Sequence, residues 1–153
     1  DLTGDWSSDV CSSDLLPDKS TDYVAMVDLK SQRHVKLKLA GMPASSRGLY
    51  THGIDAWVDP KDPKSITLFL VSHPPQSAPH QSAVLGADSV VEIFTTTLGS
   101  HELNWVKTVR SDLIRTPNSV AAVGPRQFYV TNDHAHKVHW VRVGTMASQG
   151  RFS

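Results

Sequence analysis

Short apolar runs, each closed by turn residues, follow one another from Asp22 to Val130, and no convincing amphipathic helical pattern interrupts them. His34–Leu39 alternates cleanly. Val35, Leu37 and Leu39 fall on one face and Lys36 and Lys38 on the other, the pattern of a half-buried strand. Asp22–Leu29 alternates more loosely and is joined to it by Lys30-Ser31-Gln32-Arg33, a hairpin-length connection. Ile54–Val58 and Ile66–Val71 flank Asp59–Lys64, whose prolines bar a helix and mark a turn. Ser89–Thr95 and Leu103–Val109 are joined through Leu98-Gly99-Ser100, and Ser119–Val123 and Phe128–Val130 flank the turn signal Gly124-Pro125. Ser111–Arg115 has room for one helical turn. This spacing predicts an all-β fold of sequential hairpins, either a sandwich or the blades of a propeller.

The 153 residues suit one domain, and 15 acidic against 15 basic residues give no nucleic-acid footprint and no polybasic membrane patch. No apolar run approaches the length of a membrane span, and no secretory signal is visible. Residues 1–15 lack hydrophobic period and turn logic. Asp5–Leu15 resembles the translation of a sequencing-library adapter and is set aside as an artefact or disordered tail. Cys11 goes with it, so no disulfide framework remains.

Two stretches stand out for function. Pro74–Gly86 exceeds hairpin length and reads as a functional loop or a surface insert. Thr116–His134 reads as a hairpin with Asn118 at its entry and Asn132, Asp133 and His134 at its exit. A hairpin brings its ends together, and amide and carboxylate oxygens suit a hard cation such as calcium. The alternative is that Pro117-Asn118 and Asn132-Asp133 are ordinary turns. His134, His136 and His139 form a separate histidine cluster. Its spacing breaks the strand period, and no cysteine completes a zinc set.

In chain order, Tyr50-Thr51-His52-Gly53-Ile54-Asp55, Leu68–Pro74, Val91-Glu92-Ile93-Phe94, Pro117-Asn118, Val123-Gly124-Pro125 and Phe128–His134 together resemble the paraoxonase/arylesterase family. The resemblance covers about Tyr23 to His134. It implies part of a six-bladed β-propeller, about two four-stranded antiparallel blades over residues 16–134, with 135–153 an unmatched tail. It also implies a calcium-dependent hydrolase of lactones and aryl esters, with two calcium ions, one catalytic and one structural. The implied partner is a small-molecule lactone or ester. The implied protein is secreted or membrane-anchored, and lipid association is not decided by these residues.

The resemblance carries roles to single residues. His52 matches the histidine proposed as general base, and His73 its dyad partner. Asn118 matches an amide ligand of the catalytic calcium, and Ile54 a residue whose backbone carbonyl binds the structural calcium. Ser119 stands where the family usually places an Asp ligand of the structural ion. Asp133 and His134 match residues near the catalytic ion. The chemistry is coherent: a histidine of ordinary basicity takes a proton from water at neutral pH, and calcium polarises a carbonyl. On residues alone, His52 reads as a turn histidine beside Gly53, and His73 as a surface histidine before Pro74-Pro75.

The family's adjacent Glu-Asp calcium ligands would fall upstream of Leu16, and Ser72 replaces a more usual Asn. A non-catalytic propeller serving as a binding or scaffold module is the alternative function. By itself this chain is expected to be inactive. It is also expected to expose Val91, Ile93, Phe94 and Trp105 on uncovered blade faces, with Leu2–Leu15 and Met146–Ser153 detached.

Overall fold

The computed structural model describes residues 22–78, 81 and 84–137. The adapter-like segment, His139 of the histidine cluster and Met146–Ser153 lie outside the described residues. The strands are β1 (Ala25–Asp28), β2 (Arg33–Lys36), β3 (Lys38–Ala40), β4 (Thr51–Asp59), β5 (Asp62–Ser72), β6 (Val90–Thr97), β7 (Glu102–Val109), β8 (Pro117–Gly124) and β9 (Gln127–Asn132). The architecture is all-β and is that of part of a β-propeller whose sheets are not closed.

Strands β4 to β7 form an antiparallel meander, the order expected when each strand is joined to the next by a short turn. The β4–β5 turn is as short as the prolines require: Asp59 pairs with Asp62, and the Lys61 amide donates to Asp59 Oδ1 at 2.8 Å. Strand β3 adds to the far side of the meander, parallel to β7. Two-stranded antiparallel ribbons, β1–β2 and β8–β9, complete the described structure.

His34–Leu39 is not one strand. Lys36 closes β2 in one ribbon and Lys38 opens β3 beside β7, so the chain changes partners at Leu37. The Leu37 amide donates to the Val24 carbonyl, the Lys38 amide donates to the His101 carbonyl, and the Leu37 side chain is buried. The alternation survives the break: Leu37 is buried, and Val35 and Leu39 on either side of it are half-buried.

The central strands of the meander are apolar on both faces, and both faces are covered. Phe69, Val71, Val91 and Ile93 pack with Ile114, Val120, Ala122, Phe128 and Val130, beneath the β8–β9 ribbon. Leu70, Phe94 and Leu103 pack with Leu37, Leu49, Val24 and Met26 on the β1–β2 side. The expectation that Val91, Ile93, Phe94 and Trp105 would be exposed is therefore corrected. Val91 and Phe94 are 0% exposed and Ile93 6%, because the ribbons cover each face of β6. Trp105 is partly buried, and its indole N–H donates to Glu92 Oε2 at 3.0 Å. Thr108 Oγ1 donates to the same oxygen at 2.7 Å, so this buried carboxylate is satisfied, as a buried polar group must be.

Candidate active site

Strand β4 alternates along its length: His52, Ile54, Ala56 and Val58 point to the open side, and the residues between them are half-buried. Its register against β5 slips between Thr51 and Ile54, so His52-Gly53 forms a bulge. Strand β8 slips in the same way between Pro117 and Val120, where Asn118-Ser119 carries the extra residue. A bulge bends its strand and re-aims a side chain. Here the two bulges lie against each other. A Cβ built on Gly53 would fall 2.3 Å from the Asn118 carbonyl oxygen and 3.0 Å from Ser119 Cα. Asp55 ties the strands together one step along, its Oδ2 accepting from the Ala122 amide at 2.7 Å.

This juxtaposition joins side chains far apart in sequence. His52 Nε2 lies 2.5 Å from Asn118 Oδ1, and Asn118 Nδ2 donates to Asp133 Oδ1 at 2.5 Å. An ionised carboxylate only accepts hydrogen bonds, so Asp133 turns the amide nitrogen toward itself and the amide oxygen toward His52. His52 Nε2 then carries the proton of that bond and leaves Nδ1 with its lone pair. Asp133 is held in turn by the end of the hairpin. Its amide donates to the Thr116 carbonyl, Thr116 Oγ1 donates to the His134 carbonyl, and Asn132 Oδ1 accepts from the Arg115 and Thr116 amides. Asn132 thus acts as a turn brace, while Asn118 and Asp133 face each other.

His73 follows β5 directly. Its amide donates to the Tyr50 carbonyl, and its Nδ1 lies 2.9 Å from Ser89 Oγ. The His52 and His73 rings meet edge-on with centroids 5.7 Å apart, and no hydrogen bond joins them among the described residues. Burial drives the His73 pKa down to about 4, helped by the neighbouring charge of His52 and opposed by Asp133. His73 is therefore neutral at physiological pH.

Ser89 owes its place to the base of the long loop. Arg47 donates to the Pro75 carbonyl and to the Asp88 carboxylate, and Arg110 approaches Asp88 at 2.6 Å. Desolvation pushes the Asp88 carboxyl upward, but the hydrogen bonds and charges of Arg47 and Arg110 outweigh it and hold its pKa below the usual carboxylate range. The Asp88 amide donates to the Pro74 carbonyl, Gln76 Nε2 to the Gly86 carbonyl and Lys137 Nζ to the Ala87 carbonyl. Sequence reading did not pick out Arg47, Asp88 or Ser89, and no motif spacing marks them.

Of the residues named from sequence, His52, His73 and Asn118 come together. Ile54 is exposed on β4, and Ser119 lies against the backbone of the intervening Gly53. Among the described residues no group of three or more His, Cys, Asp or Glu side chains could hold a metal ion. Asn118 turns its amide nitrogen to Asp133 and its oxygen to His52; an amide oxygen and a carboxylate are the kinds of hard donor calcium takes. By its chemistry the Asn118 oxygen fits as one member of a calcium shell of six to eight oxygens, with Asp133 orienting it.

A family model described as Arylesterase matches residues 13–147. The chain belongs to the arylesterase family. The match continues past His134, the last residue of the ordered motifs. Among curated relatives, serum paraoxonase/arylesterase 2 of Gallus gallus is 34% identical over 119 residues, 77% of this chain and 30% of that protein. The Homo sapiens protein of the same name is 34% identical over 121 residues, with the same coverage of each chain. Serum paraoxonase/lactonase 3 of Mus musculus is 32% identical over 120 residues, again 77% and 30%. The chain thus spans less than a third of the length of these family members.

Proposed function

We propose that this arylesterase-family chain is a segment of a calcium-dependent hydrolase of aryl esters and lactones. The observation that carries the reading is the approach of His52 to Asn118 across two strand bulges, within a family match over residues 13–147. In this reading His52 is the general base. Its Nδ1 lone pair takes a proton from the attacking water, while the Nε2 bond to Asn118 fixes the ring. His73, edge-on to it, is the dyad partner in this reading; with a pKa of about 4 it stands neutral before the reaction. Asn118 would hold the catalytic calcium, and the Ile54 carbonyl, with Ser119 in place of a carboxylate, the structural one. Calcium supplies a Lewis acid for the ester carbonyl. The other oxygen ligands of both ions are assigned to parts of the enzyme outside this segment.

The relatives' names, paraoxonase/arylesterase and paraoxonase/lactonase, support an ester or lactone as the substrate class. Ser119 is the one feature that favours the second reading, a propeller that binds without turnover. The test is hydrolysis of phenyl acetate and of a simple lactone by the full-length protein, before and after EDTA and with calcium restored. Loss of turnover with EDTA and its return with calcium are expected. Full turnover in metal-free buffer would reject calcium dependence, and ligand binding without turnover would favour the second reading.

A further inference from the structure

We propose that Gly53 is a positioning residue for the site, because its lack of a side chain sets the spacing at which β8 delivers Asn118 to His52. This rests on the hydrolase reading above but adds a residue that touches neither substrate nor metal.

A Cβ at position 53 would lie 2.3 Å from the Asn118 carbonyl oxygen, 3.3 Å from its carbonyl carbon and 3.0 Å from Ser119 Cα. All three are backbone atoms, so no rotamer change relieves the overlap. Ordinary contact begins near 3.4 Å, so the two strands would have to part by about 1 Å at this point. The displaced atoms belong to Asn118 and Ser119, and Gly53 itself stands between His52 and Ile54. A single methyl group therefore drives apart the two pairs of residues assigned to catalysis and to metal binding. Its effect also concentrates there. Farther along β4 and β8, the bond from Asp55 to the Ala122 amide keeps the strands together, so the added volume acts as a wedge at the end where His52 meets Asn118. No left-handed backbone angle is involved, so the glycine is required for space and not for torsional freedom.

A misplacement of about 1 Å in a catalytic constellation costs on the order of a hundredfold in rate. Disturbing residues that support a metal ligand weakens affinity by roughly 10- to 100-fold. Gly53→Ala in the full-length protein is thus expected to lower kcat about tenfold to a hundredfold. Its calcium affinity, measured by titration calorimetry with calcium alone, should fall about tenfold. Its melt should stay cooperative. Gly124→Ala, at the other end of β8, is the control. Its Cβ would meet the Gln127 Oε1 at 3.3 Å, the end of a flexible side chain, so turnover and calcium affinity should hold.

A double-mutant cycle separates positioning from general destabilisation. If Gly53 acts by placing Asn118, the kcat loss from Gly53→Ala should shrink toward nothing in an Asn118→Ala background. Additive losses would overturn the proposal, as would a Gly53→Ala protein with unchanged kcat and calcium affinity. Failure of Gly53→Ala to fold would assign the glycine to the fold and not to the site, and would overturn it too. A wild-type protein without ester turnover would instead reject the hydrolase reading, and this proposal with it.

Discussion

The Asp133 carboxylate accepts a hydrogen bond from the Asn118 amide nitrogen and thereby aims the Asn118 oxygen at His52. An amide flips readily between two orientations that differ little in shape, and only its partners decide between them. Asp133→Ala removes the group that selects one. In the full-length protein we expect kcat to fall about tenfold and calcium affinity to weaken by a similar factor, as for other outer-shell partners of metal ligands. Asp133→Asn, whose own oxygen can still accept the bond, should lose less. Steady-state kinetics and calcium titration on the two variants check both statements.

Asp55 links the two site strands through the Ala122 amide at 2.7 Å. Asp55→Ala leaves that part-buried N–H without its acceptor, which costs about 1–3 kcal/mol. Asp55→Asn keeps an oxygen in reach and should cost less. Urea denaturation of the two variants against wild type measures the difference.

His73 makes stability depend on pH in a defined window. Its pKa is about 4 in the folded protein against 6.5 for an ordinary histidine, so between those values the unfolded chain binds the extra proton. Stability therefore falls as the pH drops from 6.5 toward 4. The full shift corresponds to on the order of 3 kcal/mol, at about 1.4 kcal/mol per unit. His73→Gln should flatten the slope of unfolding free energy in this window while leaving the acid loss from Asp88, which lies below the usual carboxylate pKa, in place. Denaturant midpoints at a series of pH values would show it. An unchanged slope would mean that His73 is not buried as described.

Much of this was legible in the sequence because period and turn chemistry are local. The β8–β9 hairpin, the prolyl turn between β4 and β5 and the alternation around Leu37 all follow from neighbouring residues. His52 and His73 came into view through resemblance, while Asn118 was also marked by its place at the entry of the hairpin. Asn118 is 66 residues from His52, and nothing local links them. The bulges at His52-Gly53 and Asn118-Ser119 could not be read, because register depends on how two strands meet. The Arg47–Asp88–Arg110 cluster escaped for the same reason: each charge alone looks like a surface residue. The covering of Val91, Ile93 and Phe94 was missed because hairpin order does not tell which ribbon folds over which face.

Ser119 offers a test of the proposed structural ion that does not depend on activity. Ser119→Asp supplies the carboxylate that the family resemblance implies there, and a tighter metal would add its binding free energy to folding. The melting temperature of the full-length protein in calcium should rise, and the gain should vanish in EDTA. A fall in calcium would reject the placement of that ion.

The central claim is that Asn118, held between His52 and Asp133, is a calcium ligand that turnover requires. Its most direct test is kcat for aryl-ester hydrolysis by full-length Asn118→Ala at saturating calcium, with calcium affinity measured on the same sample. The account predicts a fall in kcat of at least about tenfold with weaker calcium binding. Turnover and calcium affinity equal to wild type would contradict it.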